Sequence, residues 1–151
     1  MEGRPYVAVI GPSEATSAEV AHAEEVGRVL ATRDAVVVCG GLGGVMEAVA
    51  RGAAAAGGTV VGILPGADRR DANEHVTVAL TTGMGEMRNA LVVRAADAVI
   101  AVGGAYGTLS EIAFALRTGV PVVGIGTWDL DDVVDAPDAP AAVELALELR
   151  P

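Results

Sequence analysis

A glycine-rich segment that ends in a carboxylate has the clearest chemical potential in this sequence. It reads Gly103-Gly104-Ala105-Tyr106-Gly107-Thr108-Leu109-Ser110-Glu111, follows an apolar stretch and opens a helical pattern. Backbone N–H groups at such a turn can hold a phosphate, because glycines leave them accessible and the helix dipole favours negative charge. Thr108 adds a hydroxyl group, and Glu111 can project over the same opening from one turn into the helix. The segment therefore predicts an anion-binding turn, through residues 104–108, beside a candidate catalytic carboxylate.

The same residues also fit a purely structural role. Thr108-x-x-Glu111 matches a capping box, in which both side chains bond backbone N–H groups at the start of a helix. Thr16-x-x-Glu19 has the same spacing without a glycine-rich turn beside it. From the local sequence alone, cap and catalyst are equally good interpretations of Glu111.

Two further turns follow apolar stretches, and one of them is also rich in glycine. They read Gly11-Pro12-Ser13 and Gly40-Gly41-Leu42-Gly43-Gly44. The predicted phosphate contacts in these turns are Gly11, Ser13, Gly40, Gly41, Gly43 and Gly44. The alternative is that the glycines only make tight turns. This explanation is weaker for two glycine-rich turns, residues 40–44 and 103–108, at neighbouring strand ends than it is for one. Dinucleotide binding is not supported, because Gly-x-Gly-x-x-Gly is missing from the first turn and Met46 stands at its third glycine in the second.

Arg88 is the second candidate for chemistry. It lies near the start of a predicted helix from Met84 to Ala96, whereas Arg94 points roughly 120° away around that helix. Arg88 could hold an anion and keep a nearby carboxylate ionised. A solvated or ion-paired arginine is the structural alternative.

The remaining reactive side chains predict no metal site and no resident cofactor. His22 and His75 have no second ligand at metal-binding spacing, and Cys39 ends a run of valines, which is typical of a buried core cysteine. All ten basic residues are arginines, so a P-loop lysine, a Schiff-base lysine and a Ser-Lys dyad are impossible.

Short apolar runs alternate with helical patterns along the chain. The predicted strands are 6–10, 36–39, 60–64, a weaker 76–80, 98–102 and a last strand 120–125, and the predicted helices are 17–31, 45–56, 84–96, 108–118 and 141–149. Strands that are apolar on both faces and alternate with helices indicate a parallel sheet that is covered on both sides. We therefore predict an α/β fold with a doubly wound (Rossmann-like) parallel sheet and helices on both faces, as a single domain over residues 1–151. Ligands of such sheets bind beyond the carboxyl ends of the strands, where these three turns and a fourth, Pro65-Gly66, lie.

The amino-acid composition restricts the kind of core that the protein can form and the partners that it can bind. With 52% apolar but only 3% aromatic residues, small aliphatic side chains must build the core. The formal net charge of -10 argues against nucleic-acid or anionic-membrane binding, although the first 127 residues hold nine of the ten arginines. The start of the sequence lacks signal-peptide features and no apolar run is long enough to span a membrane, so a cytoplasmic location is expected.

Several of these segments, taken in order, resemble the LOG (Lonely Guy) family of phosphoribohydrolases, once labelled lysine-decarboxylase-like. Residues 40–46 are similar to that family's Gly-Gly-Gly-x-x-Gly-Leu-Met-Gly turn, and residues 58–65 to its next strand. Residues 103–111 stand at its Pro-Gly-Gly-x-Gly-Thr-x-x-Glu motif, and Arg88 at the arginine of Met-x-x-Arg-Lys. The resemblance, over Tyr6 to Ile125, implies a nucleotide-binding fold and cleavage of the N-glycosidic bond of a nucleoside 5′-monophosphate. In that reaction Glu111 would activate water and Arg88 would hold the phosphate or ribose.

The sequence departs from the family motifs at four positions, which leaves the reaction open. Gly103 replaces the motif proline, Ala105 a glycine, Ser110 an acid and Asn89 the lysine. This variant looks closer to a sister group that includes molybdenum-cofactor carrier proteins. The enzyme is slightly favoured, the main alternative is a non-catalytic carrier or sensor of a phosphorylated small molecule, and a weaker one is a structural dimerisation module. The resemblance also implies a homodimer or tetramer.

Overall fold

The structure is a computed structural model that describes residues 3–151; the part of the predicted domain at Met1 and Glu2 lies outside the described residues. Between residues 3 and 151, seven strands form one sheet, in which every pair is parallel. The strands are β1 (Tyr6–Ile10), β2 (Val36–Cys39), β3 (Val60–Leu64), β4 (Val78–Thr81), β5 (Ala98–Val102), β6 (Val122–Ile125) and β7 (Val133–Asp135). The five α-helices of the same range are α1 (Ser17–Thr32), α2 (Val45–Ala55), α3 (Arg88–Arg94), α4 (Tyr106–Arg117) and α5 (Ala139–Leu149).

The strand order reverses at the centre of the sheet. The order is β4-β3-β2-β1-β5-β6-β7, so the chain builds outward from β1 to one edge and then returns to place β5 beside β1. Val7 pairs with Ala98 and Ile10 with Ala101 across this seam. The predicted doubly wound parallel sheet is therefore confirmed, and its carboxyl ends open a crevice between β1 and β5, as such folds do at their switch point.

Small aliphatic side chains fill both faces of the sheet. One core lies under α1, α2 and α5 and the other under α3 and α4, so successive residues of β1 alternate between them. The helices α1 and α2 approach closely through glycines. A Cβ atom on Gly27 would overlap the Val49 carbonyl oxygen, and one on Gly52 would overlap the Glu24 carbonyl oxygen. The close approach of the helix backbones thus allows small side chains to be completely buried in a core without large aromatic rings.

The structure differs from the predicted elements mainly at their ends. β4 begins at Val78 rather than Val76, whose side chain instead lies against Gly62. The predicted helix 84–96 is a 3₁₀ turn, Gly85–Met87, followed by the short α3. A seventh strand, β7, follows the predicted last strand and pairs with β6 despite its acidic surroundings. None of the helices between residues 3 and 151 combines the length and apolar character that crossing a membrane requires.

Candidate functional site

A pocket opens at the carboxyl ends of β1 and β5, where the strand order reverses. Its volume is about 370 Å³, within the range of small-molecule sites. The inner pocket, as we call it, is lined by residues from both halves of the sheet: Val9, Ile10, Gly11, Pro12, Ser13, Gly40, Leu42, Met46, Pro65, Glu86, Arg88, Asn89, Ala105, Gly107, Thr108 and Glu111. The fold therefore brings both candidate catalytic residues to one opening.

Arg88 is a fixed cation in the pocket wall. Its side chain is only 8% exposed, and its Nε donates a hydrogen bond of 2.8 Å to the Ile63 carbonyl oxygen. One terminal nitrogen donates to the Gly40 carbonyl oxygen at 3.4 Å and the other to Asn89 Oδ1. A Cβ atom on Gly40 would lie 2.6 Å from Arg88 Nη2, so the absence of a side chain there makes room for the guanidinium group. Burial lowers the pKa of Arg88 and the charge of Glu111 opposes that effect.

Glu111 faces the same pocket from α4 in a half-buried position. Burial raises the pKa of its carboxyl group from an ordinary 4.5 to about 7, while the positive charge of Arg88 acts in the opposite direction. Among residues 3–151, no salt bridge joins Glu111 to Arg88. The two groups therefore influence each other through space, and both line the inner pocket.

The capping-box interpretation of Thr108 and Glu111 is wrong. The N-cap of α4 is Ala105, which makes no side-chain cap, and the helix begins at Tyr106, two residues earlier than predicted. Gly103, two residues before this N-cap, has a positive φ of +70°. By contrast, Thr16 and Glu19 do form a capping box at the start of α1, with N···O distances of 2.9 and 3.1 Å.

Thr108 instead carries a hydroxyl group that has no hydrogen-bond partner among the described residues. The side chain is 2% exposed and lies in the first turn of α4 against the inner pocket. The first N–H groups of an α-helix also lack acceptors within the helix. A buried hydroxyl group and free backbone donors at one helix N-terminus form the donor set that an anion requires.

Six of the eleven predicted phosphate-binding residues line the inner pocket and five do not. Those in the wall are Gly11, Ser13, Gly40, Ala105, Gly107 and Thr108, and those outside it are Gly41, Gly43, Gly44, Gly104 and Tyr106. Gly41 packs against Leu64, and Gly104 packs against Trp128. Gly44, with φ +66°, lies under the backbone of the first turn. Several glycines of these turns thus serve close packing rather than facing the cavity.

The wall also contains residues that the sequence did not point to. Leu42, Met46 and Pro65 supply apolar surface, and Glu86 and Asn89 supply polar groups from the chain around the start of α3. Asn89 could have been identified from the sequence, because it is adjacent to the candidate residue Arg88. The apolar members carry no such signal.

No cluster of three or more metal-ligating side chains occurs among residues 3–151. Cys39 is completely buried in the core, as predicted, and burial raises the pKa of its thiol to about 11. A buried thiol of this kind offers neither a thiolate ligand nor a nucleophile near neutral pH.

Comparison with known proteins assigns a family to this architecture. The sequence profile of the SLOG cluster4 family matches residues 4–148, nearly the whole chain. The chain belongs to the SLOG cluster4 family. An uncharacterized protein of Archaeoglobus fulgidus is 44% identical to this SLOG cluster4 protein over 120 residues, which cover 79% of this chain and 78% of the relative.

Two solved structures are similar to the SLOG cluster4 protein over almost their full length. The molybdenum cofactor binding protein of the phototrophic bacterium Rippkaea orientalis is 33% identical, with a TM-score of 0.94 and 99% of each chain covered. The molybdenum cofactor carrier protein of Chlamydomonas reinhardtii is 31% identical, with a TM-score of 0.89 and coverage of 97% of this chain and 98% of that one. The expected resemblance, to a LOG-like variant close to such carriers, is confirmed.

Proposed function

We propose that this SLOG cluster4 protein binds a phosphorylated cofactor of the molybdenum-cofactor type and carries it without cleaving it. The observation that supports the proposal best is the similarity, over 99% of the chain, to a protein described as binding that cofactor. The carrier is therefore preferred to the hydrolase, which the motifs alone favour slightly. The cofactor is cargo in this proposal.

The phosphate of the ligand would lie at the N-terminus of α4. Gly107 leaves space there, because a Cβ atom on it would meet nothing within 4 Å. The backbone N–H groups of Gly107 and Thr108 and the unpartnered hydroxyl group of Thr108 would donate to the phosphate oxygens. Arg88 would contribute its positive charge from the wall, while the carbonyl oxygens of Ile63 and Gly40 hold it in place.

Partial protonation of Glu111 lessens the negative charge that the inner pocket presents to an anion near neutral pH. Among the described residues that line it, Arg88 is the one cation, against the carboxyl groups of Glu86 and Glu111. Because burial raises the pKa of Glu111 to about 7, part of this group is protonated at neutral pH. A protonated carboxyl group repels a phosphate less than a carboxylate does and can donate a hydrogen bond to it.

One observation favours a second candidate function, the hydrolysis of nucleoside 5′-monophosphates. A carboxyl group with a pKa of about 7 beside an anion pocket is suited to general acid–base chemistry at neutral pH. Glu111→Gln should then reduce the release of free base about 10²- to 10⁴-fold and leave nucleotide binding nearly intact.

Binding and turnover can be measured in parallel to test the proposal. We expect molybdenum cofactor, released from a molybdenum enzyme, to be retained by the protein and transferred intact to a cofactor-free molybdenum enzyme. Gly107→Val should abolish this retention, because the new side chain occupies the phosphate position. Ala113→Val adds the same kind of bulk on an exposed position of α4 and should retain the cofactor. Release of base from any member of a nucleoside 5′-monophosphate panel, without cofactor retention, would decide for the hydrolase.

A further inference from the structure

A second depression lies beside the inner pocket, between α3 and α4. This outer groove has a volume of about 500 Å³ and shares four lining residues with the inner pocket: Glu86, Asn89, Gly107 and Glu111. The two spaces are therefore continuous across the carboxyl group of Glu111 and the first turn of α4. A ligand whose phosphate lies at Gly107 can extend into the outer groove without leaving the protein surface.

The outer groove has apolar surface on both sides, beside the polar groups of Glu86, Asn89, Ser110 and Glu111. Tyr106 and Phe114 supply the surface on the α4 side, and Met87 and Ala90 supply it on the α3 side. Tyr106 is 83% exposed and Met87 is 72% exposed, so both leave large apolar areas in water. Exposed apolar area next to a pocket is stabilised when a ligand covers it.

Tyr106 is held in place by the only tryptophan of the chain. Its ring stacks on Trp128 with 6.0 Å between centroids and an interplanar angle of 28°. Trp128 Nε1 in turn donates a hydrogen bond of 3.1 Å to the Ala105 carbonyl oxygen. A Cβ atom on Gly104 would lie 2.9 Å from Trp128 Nε1, so the indole rests against bare backbone there. The stacking contact with Trp128 thus favours one orientation of the exposed tyrosine ring.

We propose that the outer groove binds the planar heterocycle of the ligand, stacked on Tyr106 and covered by Met87. This inference rests on the proposed function, because it takes the phosphate to be bound in the inner pocket. Aromatic rings stack on planar heterocycles whatever their substituents, and the thioether of a methionine makes favourable contacts with ring edges. Phosphate binding is then common to all ligands, while Tyr106 and Met87 determine preference for a ligand that carries a ring.

The test compares ligands with and without a ring by calorimetry. The probes are a pterin monophosphate, AMP and ribose 5-phosphate, which share a phosphate group, while ribose 5-phosphate lacks the ring. We expect wild-type protein to bind at least one ring-bearing probe more tightly than ribose 5-phosphate, and the preferred ring distinguishes a pterin from a nucleotide ligand. Tyr106→Ala should weaken that ring-bearing probe about 5- to 100-fold and leave ribose 5-phosphate unchanged.

Two variants and the wild type make the outcomes distinct. Tyr106→Phe should retain the affinity for the ring-bearing probe, because it keeps the aromatic surface, and Leu149→Ala, an exposed apolar truncation on α5, should change none of the affinities. An equal loss for all probes in Tyr106→Ala, or no loss for the ring-bearing one, would overturn the inference. If ribose 5-phosphate binds as tightly as both ring-bearing probes, the inference about the outer groove is overturned and the proposed function is not. If no probe binds to the wild type, both the inference and the proposed function are overturned.

Discussion

Replacing Glu111 with glutamine should stabilise the protein, and the gain should depend on pH. Burial raises the pKa of Glu111 from an ordinary 4.5 to about 7 in the folded state. Folding therefore favours the protonated carboxyl group, whose contribution to the free energy of unfolding is complete below about pH 4.5 and is lost as the pH rises through 7. Glutamine resembles the protonated form at every pH, so the variant should escape this loss.

The expected size of the effect follows from the two pKa values. At about 1.4 kcal/mol per pKa unit, the variant should be more stable than the wild type by about 1 kcal/mol at pH 5 and about 3 kcal/mol at pH 8. Urea unfolding followed by the fluorescence of the single Trp128 gives the free energies directly. Taking the difference between variant and wild type at each pH removes the contribution of the other nineteen acidic residues.

Glu148→Gln, which removes an exposed carboxylate from α5, is the matched control and should show little difference between the two pH values. A stability gain for Glu111→Gln that is the same at both pH values, or a loss that grows with pH, would refute the reasoning. The charged form of the Glu111 carboxyl group would then not be destabilised by burial. Glu111 would then also not be partly protonated at neutral pH, as the proposed phosphate site requires.

Four further outcomes are expected. Gly52→Ala should cost about 1–3 kcal/mol in urea unfolding, because its Cβ atom would overlap the Glu24 carbonyl oxygen, whereas Gly107→Ala should not be destabilising because that space is open. Thr16→Ala should cost about 0.5–2 kcal/mol through the lost capping box, and Thr16→Ser should restore most of it; an equal cost for both would argue against the cap. Cys39 should react with iodoacetamide at neutral pH only after unfolding, since it is buried and its pKa is about 11, and rapid labelling of folded protein would contradict this. Light scattering should give the mass of a dimer or tetramer, and a monomer mass at micromolar concentration would disprove the predicted homo-oligomer.

The sequence predicts the fold well because its signals are local. Runs such as Val36–Cys39 are apolar on both faces, and the glycines and prolines after them mark where each strand ends. β7 was missed because only three residues form it, among acidic neighbours, and its pairing with β6 is decided by tertiary contact. The start of α4 was misplaced because it depends on the backbone angles from Gly103 to Ala105, which the residue types alone do not determine.

The candidate site was predictable in its location but not in its detail. Parallel strands bring their carboxyl ends together, so Arg88 and Glu111 could be placed near one crevice from the sequence. Whether a given glycine faces a ligand or packs against a neighbour depends on residues that are distant in the sequence. Gly41, for example, packs against the side chain of Leu64. The carbonyl acceptor that Ile63 offers to Arg88 is likewise a product of the tertiary fold.

The seam between β1 and β5 has a consequence for how this protein becomes functional during synthesis. The central pair of strands, β1 and β5, cannot form until Ala98, the partner of Val7, has been synthesised. The wall of the inner pocket is complete only after Glu111 has been added to the chain. Such pairing of residues distant in the chain is a slow step in folding, because a long loop must close before the contact contributes stability. A nascent chain that ends after β4 therefore lacks Arg88, Thr108 and Glu111, and with them a large part of the wall of the inner pocket. If the proposed ligand binds in the inner pocket, its capture requires that both halves have joined, so it reports correct folding in variants that leave the lining of the pocket unchanged.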